Sequence, residues 1–191
     1  MQSFSASYFT NSDRARDYLE KMRWPEGAIC PGCGAGGGRR LTPAANSKTH
    51  ARKGLYQCLA CRRQFSVTVG TLLEDAHTPL HKWLLAICII CSRKEGISAL
   101  ELQRALDLGG YRTAWLMCHR IRWAVQKPPM PGLMKSAGHA ASSMSTRTPL
   151  RMPLPWDQAL RGLLEVAKEP RDRFKGDRKI GAKMERRVGI R

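Results

Sequence analysis

Apolar positions along this chain follow three different rhythms. Between Ser12 and Trp24, Ala15, Tyr18, Leu19 and Met22 recur at helical spacing among charged residues, which predicts an amphipathic helix. Ser12 is placed to cap it, Asp13 puts an acid in its first turn, and Pro25 with Gly27 ends it. From residue 28 to 69 the helical period disappears. Short apolar stretches there flank a Gly-, Ala- and Lys-rich loop. Leu55-Tyr56-Gln57 reads as a short strand, and Gln64-Phe65-Ser66-Val67-Thr68-Val69 alternates as a half-buried strand does. Helical spacing returns from 79 to 125 in three pieces. The first runs from Leu80 to Arg93 and ends near Gly96. The second runs from Ser98 to Leu106 and ends at Gly109-Gly110. The third runs from Thr113 to Val125 and stops before Pro128-Pro129.

Beyond residue 125 the rhythm fades. Prolines stand at 128, 129, 131, 149, 153, 155 and 170, and no alternation marks a strand. This composition predicts a tail that is mostly disordered, with one helix over Trp156 to Lys168, where Leu160, Leu163, Leu164 and Val166 allow an apolar face. No internal repeat is visible. The expected architecture is a small α+β fold in three parts: a cysteine-bearing unit with its leading helix over 10–70, a three-helix segment over 79–125, and a basic, largely irregular tail over 126–191.

Charge changes the picture next. Lys and Arg number 33 against 15 Asp and Glu, a formal net charge of +18. That excess favours polyanionic partners, nucleic acid first among them, although basic proteins also bind acidic surfaces. Met1 to Asn11 lacks the apolar stretch of a secretory signal. The longest apolar run, Trp83 to Cys91, is far short of the roughly 20 residues that span a bilayer. A soluble, cytoplasmic protein is expected, in which seven cysteines serve as metal ligands or buried thiols in preference to disulfides.

Candidate chemistry centres on Cys30-Pro-Gly-Cys33 and Cys58-Leu-Ala-Cys61, separated by 24 residues. Each pair on a tight turn presents two sulfurs to one ion, and two pairs complete the tetrahedron that zinc prefers. Pro31, Gly32 and Gly34 suit such a turn. Four thiolates leave no open coordination position, so the ion would be structural and not hydrolytic. A redox pair or plain buried thiols are the alternatives. Cys88-Ile-Ile-Cys91 shares the spacing but lies in an apolar helical run without turn residues, so core thiols are expected there, and packing for Cys118. His50, His77, His81 and His119 are not needed as ligands.

Positive residues surround the cysteine pairs: Arg39, Arg40, Lys48, Arg52, Lys53, Arg62 and Arg63. Such residues follow a phosphate backbone by releasing counterions, although a solvated loop gives the same composition. The second and third helices of the 79–125 segment, with the Gly109-Gly110-Tyr111 turn, have the pattern of a helix-turn-helix, with Trp115, Leu116 and Cys118 inward and Arg112, Arg120 and Arg122 outward. A plain helical bundle explains the same pattern.

These motifs together resemble a known family. Leu19-Glu-Lys-Met-Arg-Trp-Pro-Glu-Gly27, Cys30-Pro-Gly-Cys33 and the stretch from Tyr56 to Thr71 resemble the N-terminal zinc ribbon of bacterial insertion-sequence transposases. Pro79 to Leu85, Gly96 to Arg104 and Thr113 to Arg122 are similar to the helical segment that follows it in that family. The resemblance implies binding to double-stranded DNA at transposon ends, structural zinc on Cys30, Cys33, Cys58 and Cys61, and a second copy or an intact transposase as further partners. The family's next part is an RNase H-like domain whose acids hold two metal ions for strand cleavage and joining. No acidic strand of the expected kind follows Val125. The acids there are Asp157, Glu165, Glu169, Asp172, Asp177 and Glu185, and no catalytic residue is carried over. With suitable codons, Ser143 to Arg147 read in another frame as an acidic strand, the expectation of a frameshift upstream. The rivals are an active enzyme using acids such as Asp157 and Glu165, and a zinc ribbon that docks on proteins.

Overall fold

The computed structural model describes residues 6–41, 53–93, 95–136 and 149–166. Lys48, His50, Arg52, the Ser143 to Arg147 segment and the acids from Glu169 onward lie outside them. A single 3-10 turn, Ser7–Phe9, leads into α1, Ser12–Arg23. Asn11, not Ser12, caps this helix: its side chain accepts from the amides of Asp13 at 2.8 Å and Arg14 at 3.2 Å. Ser12 is thereby the first helical residue, and its hydroxyl is free to hydrogen-bond Nδ1 of His81 at 2.8 Å.

Three short strands follow: β1 Arg39–Leu41, β2 Leu55–Gln57 and β3 Gln64–Ser66. They form an antiparallel sheet in sequence order, with Tyr56 opposite both Arg40 and Phe65. The alternating stretch expected to run to Val69 leaves the sheet after Ser66. The reason is the partner: Ser66 lies opposite Leu55, and beyond it Gly54, at φ +76°, turns β2 away. The carbonyls of Val67 and Val69 then accept from Nη1 of Arg23, at 2.6 and 2.8 Å, so a side chain of α1 replaces the missing strand.

The helical body comprises α2 Leu80–Ser92, α3 Ala99–Ala105, α4 Tyr111–Val125, α5 Met130–Ser136 and α6 Trp156–Glu165. Ser98 and Glu101 form a reciprocal capping box at the start of α3. Trp83, Leu84, Ala86, Ile87, Cys88 and Ile90 of α2 are all buried, so this helix is apolar around most of its circumference. A helix of that kind must be covered on every side. α1 packs on it, and so does α6.

Part of the 126–191 stretch supplies that cover. Of residues 126–191, the 130–136 helix and the 149–166 segment belong to the core. Leu150 exchanges both backbone hydrogen bonds with Ile97, each at 2.9 Å. Met130, Met134, Leu150, Met152, Leu154, Leu160 and Leu163 are buried. The helix expected from Trp156 is present, and Trp156 stacks with Tyr8 and Tyr18 at centroid distances of 5.8 and 5.6 Å. Each such side chain contributes about 1.5–3 kcal/mol of burial free energy, which irregular chain in water would forgo. No helix among the described residues is long and apolar enough to cross a membrane.

Candidate metal centre and nucleic-acid interface

The two cysteine pairs occupy turns of one design. In each, the first cysteine's carbonyl accepts from the residue four positions on, Gly34 at 2.9 Å and Arg62 at 3.1 Å. In each, its amide donates to the residue five positions on, Ala35 and Arg63, both at 2.9 Å. The turn demands a left-handed residue at the fourth position. Gly34 supplies it at φ +73° without strain, whereas Arg62 adopts φ +60° with a side chain attached.

The turns bring all four sulfurs within 4.8 Å of one another. Cys30 and Cys61 approach to 3.7 Å, Cys33 and Cys58 to 3.6 Å. Zinc–sulfur bonds of about 2.3 Å in a tetrahedron give sulfur–sulfur edges of about 3.8 Å, so the cluster has the dimensions of a four-thiolate zinc site. The amides of Gly32 and Cys61 donate to the sulfurs of Cys30 and Cys58, at 3.4 and 3.5 Å. The Cys61 amide is the main reason the Cys58 thiol is pulled down to about 6, and the Gly32 amide lowers Cys30. Donors aimed at thiolates support a metal-bound state over four neutral thiols. The arrangement of Cys30, Cys33, Cys58 and Cys61 is consistent with a structural zinc ion. By contrast Cys88 and Cys118 are fully buried, and burial pushes Cys118 up to about 11 and Cys91 up to about 12, the state of core thiols.

The ribbon is bolted to α1. Tyr56 donates to Glu20 at 2.8 Å, and the rings of Trp24, Tyr56 and Phe65 meet at centroid distances of 5.4 to 5.8 Å. A side chain at Gly38 would meet Phe65 at 2.7 Å, so glycine lets β1 approach this cluster.

The candidate DNA contacts divide into two groups. On the ribbon, Arg39, Arg62 and Arg63 are exposed and make no ion pair among the described residues. The Arg63 guanidinium lies against Gly32, beside the first turn. Arg40 and Lys53, in contrast, face acids of α1: Arg40 lies 3.6 Å from Asp17 and Lys53 lies 2.8 Å from Asp13. On α4, Arg112 is exposed, but Arg120 is half-buried and donates to the carbonyls of Leu72 and Glu74 at 3.3 and 3.1 Å. Arg122, expected to point outward, is buried, and desolvation lowers its pKa. α3, α5 and α6 all pack on α4, which leaves less of that helix exposed than a two-helix pair would.

A cleft lies beside Arg112, between the start of α2, the 75–79 loop and α4, and Lys82 and Trp83 contribute to it. Neither residue stands out in the sequence. A lysine next to a tryptophan at a helix start is the only local signal.

Residues 10–64 match the family model of a transposase zinc-ribbon domain. An uncharacterized protein in the transposable element ISH50 of Halobacterium salinarum is 28% identical over 120 residues. The match covers 63% of this chain and 38% of that protein, so the chain spans well under half of the relative's length. No solved structure matches the chain.

Proposed function

We propose that this chain, whose residues 10–64 match a transposase zinc-ribbon domain, binds double-stranded DNA at transposon ends and carries no strand-transfer chemistry of its own. The observation that carries the reading is the division of ribbon cations. Arg40 and Lys53 pair with acids of α1, whereas Arg39, Arg62 and Arg63 are exposed and make no ion pair among the described residues. Exposed guanidinium groups held on a rigid zinc-bound turn are suited to phosphate contacts. α3 and α4, joined by a short turn, supply the helix-turn-helix, with Arg112 at the start of its second helix.

The proposal that strand transfer is lacking rests on chemistry. Of the acids after Val125, the two among the described residues, Asp157 and Glu165, stand near opposite ends of α6, both exposed, and do not converge on a pair of metal ions.

The test is DNA affinity of the zinc-loaded chain as a function of salt. Expected is a steep fall with salt, its slope about 0.9 per phosphate neutralised. Replacing Arg39, Arg62 or Arg63 by alanine should each reduce that slope by about one. One observation favours a second reading: Ile29 and Leu59, one beside each cysteine turn, are 48% and 58% exposed. A ribbon that docks on a protein would use them. Affinity indifferent to salt, and lost on Leu59→Ser, would establish that reading in place of DNA binding.

A further inference from the structure

The geometry points to the cleft beside α4 as a receptor for one unpaired nucleotide of bound DNA, base inside and phosphate at the rim; this rests on the DNA-binding reading above. The cleft has a volume of about 590 Å³, within the range of about 300–1,000 Å³ that holds small organic ligands. Its walls include Trp83, Trp115, Leu116 and Met117, and Lys82 and Arg112 are among its cations. Trp83 is 2% exposed, and its indole Nε1 is buried without a hydrogen-bond partner among the described residues.

These features constrain the ligand. A duplex phosphate alone would need only the exposed cations and no apolar recess. A purely apolar ligand would ignore the positive rim. A nucleotide satisfies both: its flat ring fits apolar and aromatic walls, and its phosphate suits the cations. Arg112 is exposed and makes no hydrogen bond or ion pair among the described residues, so its guanidinium is available. Lys82 gives one hydrogen bond to the Asp107 carbonyl at 2.8 Å and keeps further donors. Asp75 also lines the cleft and moderates its charge. A paired base shows only its edges in the grooves, so a base must leave the stack to enter such a recess.

Two measurements on the full zinc-loaded chain test this. The first follows the indole N–H resonances of the five tryptophans on adding deoxyadenosine monophosphate, with Trp83→Phe identifying the Trp83 signal. The Trp83 resonance should move, and Arg112→Ala should raise the midpoint about tenfold, the loss of one charged hydrogen bond. A Trp83 signal that stays still at saturating nucleotide overturns the proposal. The second compares a duplex carrying a one-nucleotide bulge with the same duplex fully paired. The chain should prefer the bulged duplex by about tenfold, and Trp83→Phe should abolish the preference while leaving affinity for the paired duplex unchanged. Equal affinity of the unaltered chain for both duplexes overturns the proposal. Failure to bind either duplex, with the Trp83 resonance still responding, would overturn the DNA-binding reading and leave the cleft as a site for free nucleotides.

Discussion

The zinc ribbon and the helical body hold together by different means. The ribbon, from Ala28 to Ser66, buries few large side chains, Phe65 chief among them, and its strands are three residues long. Its order comes from four sulfurs around one point and from polar bolts to α1, those of Arg23, Tyr56 and Arg40. Among its described residues the helical body has no such centre. It is held by Leu84, Ile87, Ile90, Leu102, Met117, Ile121, Leu160 and Leu163, all fully buried. A metal-centred unit should therefore fail all at once when its ion leaves, whereas an apolar core should lose stability in graded steps. The same contrast separates rigid presentation of charge on the ribbon from the deep cleft among the helices.

The largest test of that comparison is removal of zinc. A structural ion of this type contributes on the order of 10 kcal/mol, so chelation or Cys58→Ala should collapse the ribbon. The helical body should survive. In indole resonances, Trp24 should lose its dispersed position while Trp115 keeps its own; simultaneous loss of both would show that the two regions are one cooperative unit. Next in size is Leu163→Ala in α6, expected to lower unfolding free energy by about 2–5 kcal/mol in urea. An unchanged midpoint would mean that the 149–166 segment does not belong to the core.

Smaller effects sharpen the comparison. Ser98→Ala removes one side of the capping box of α3 and should cost about 1 kcal/mol, read from thermal unfolding of the helical body with zinc retention unaffected. Coupled zinc loss would contradict the separation of the two regions. Arg62→Gly acts on the ribbon with opposite sign. It relieves left-handed strain of about 1 kcal/mol and so should slow zinc loss to a chelator slightly, while reducing the salt slope of DNA binding by about one. A gain in zinc retention without a change in slope would remove Arg62 from the interface.

How far the residues alone reveal this molecule also differs between the two regions. The cysteine turns are legible because their chemistry is local: spacing, turn residues and ligand type sit within four positions, and two copies specify the site. The spans of α1, α2, α3 and α4 are legible to within a few residues for the same reason, since caps and periodicity are short-range. Faces are harder. Arg122 looks like an outward residue if α4 has one neighbour, but it has several, and a helix's exposed side depends on everything that covers it. The all-round apolar character of α2 was itself a signal that something beyond α1 must pack on it, and that cover came from α6, about seventy residues further along.

By itself the sequence determined the paired cysteine turns, the order of the helices and the strongly basic character, because each follows from neighbours in the chain or from a sum over it. Only the tertiary structure decided which cations pair with acids of α1, which arginine of α4 is buried, where residues 149–166 pack and that Trp83 and Arg112 share a cleft. Those are properties of residues far apart in the chain, and burial and charge pairing exist only once folding has brought them together.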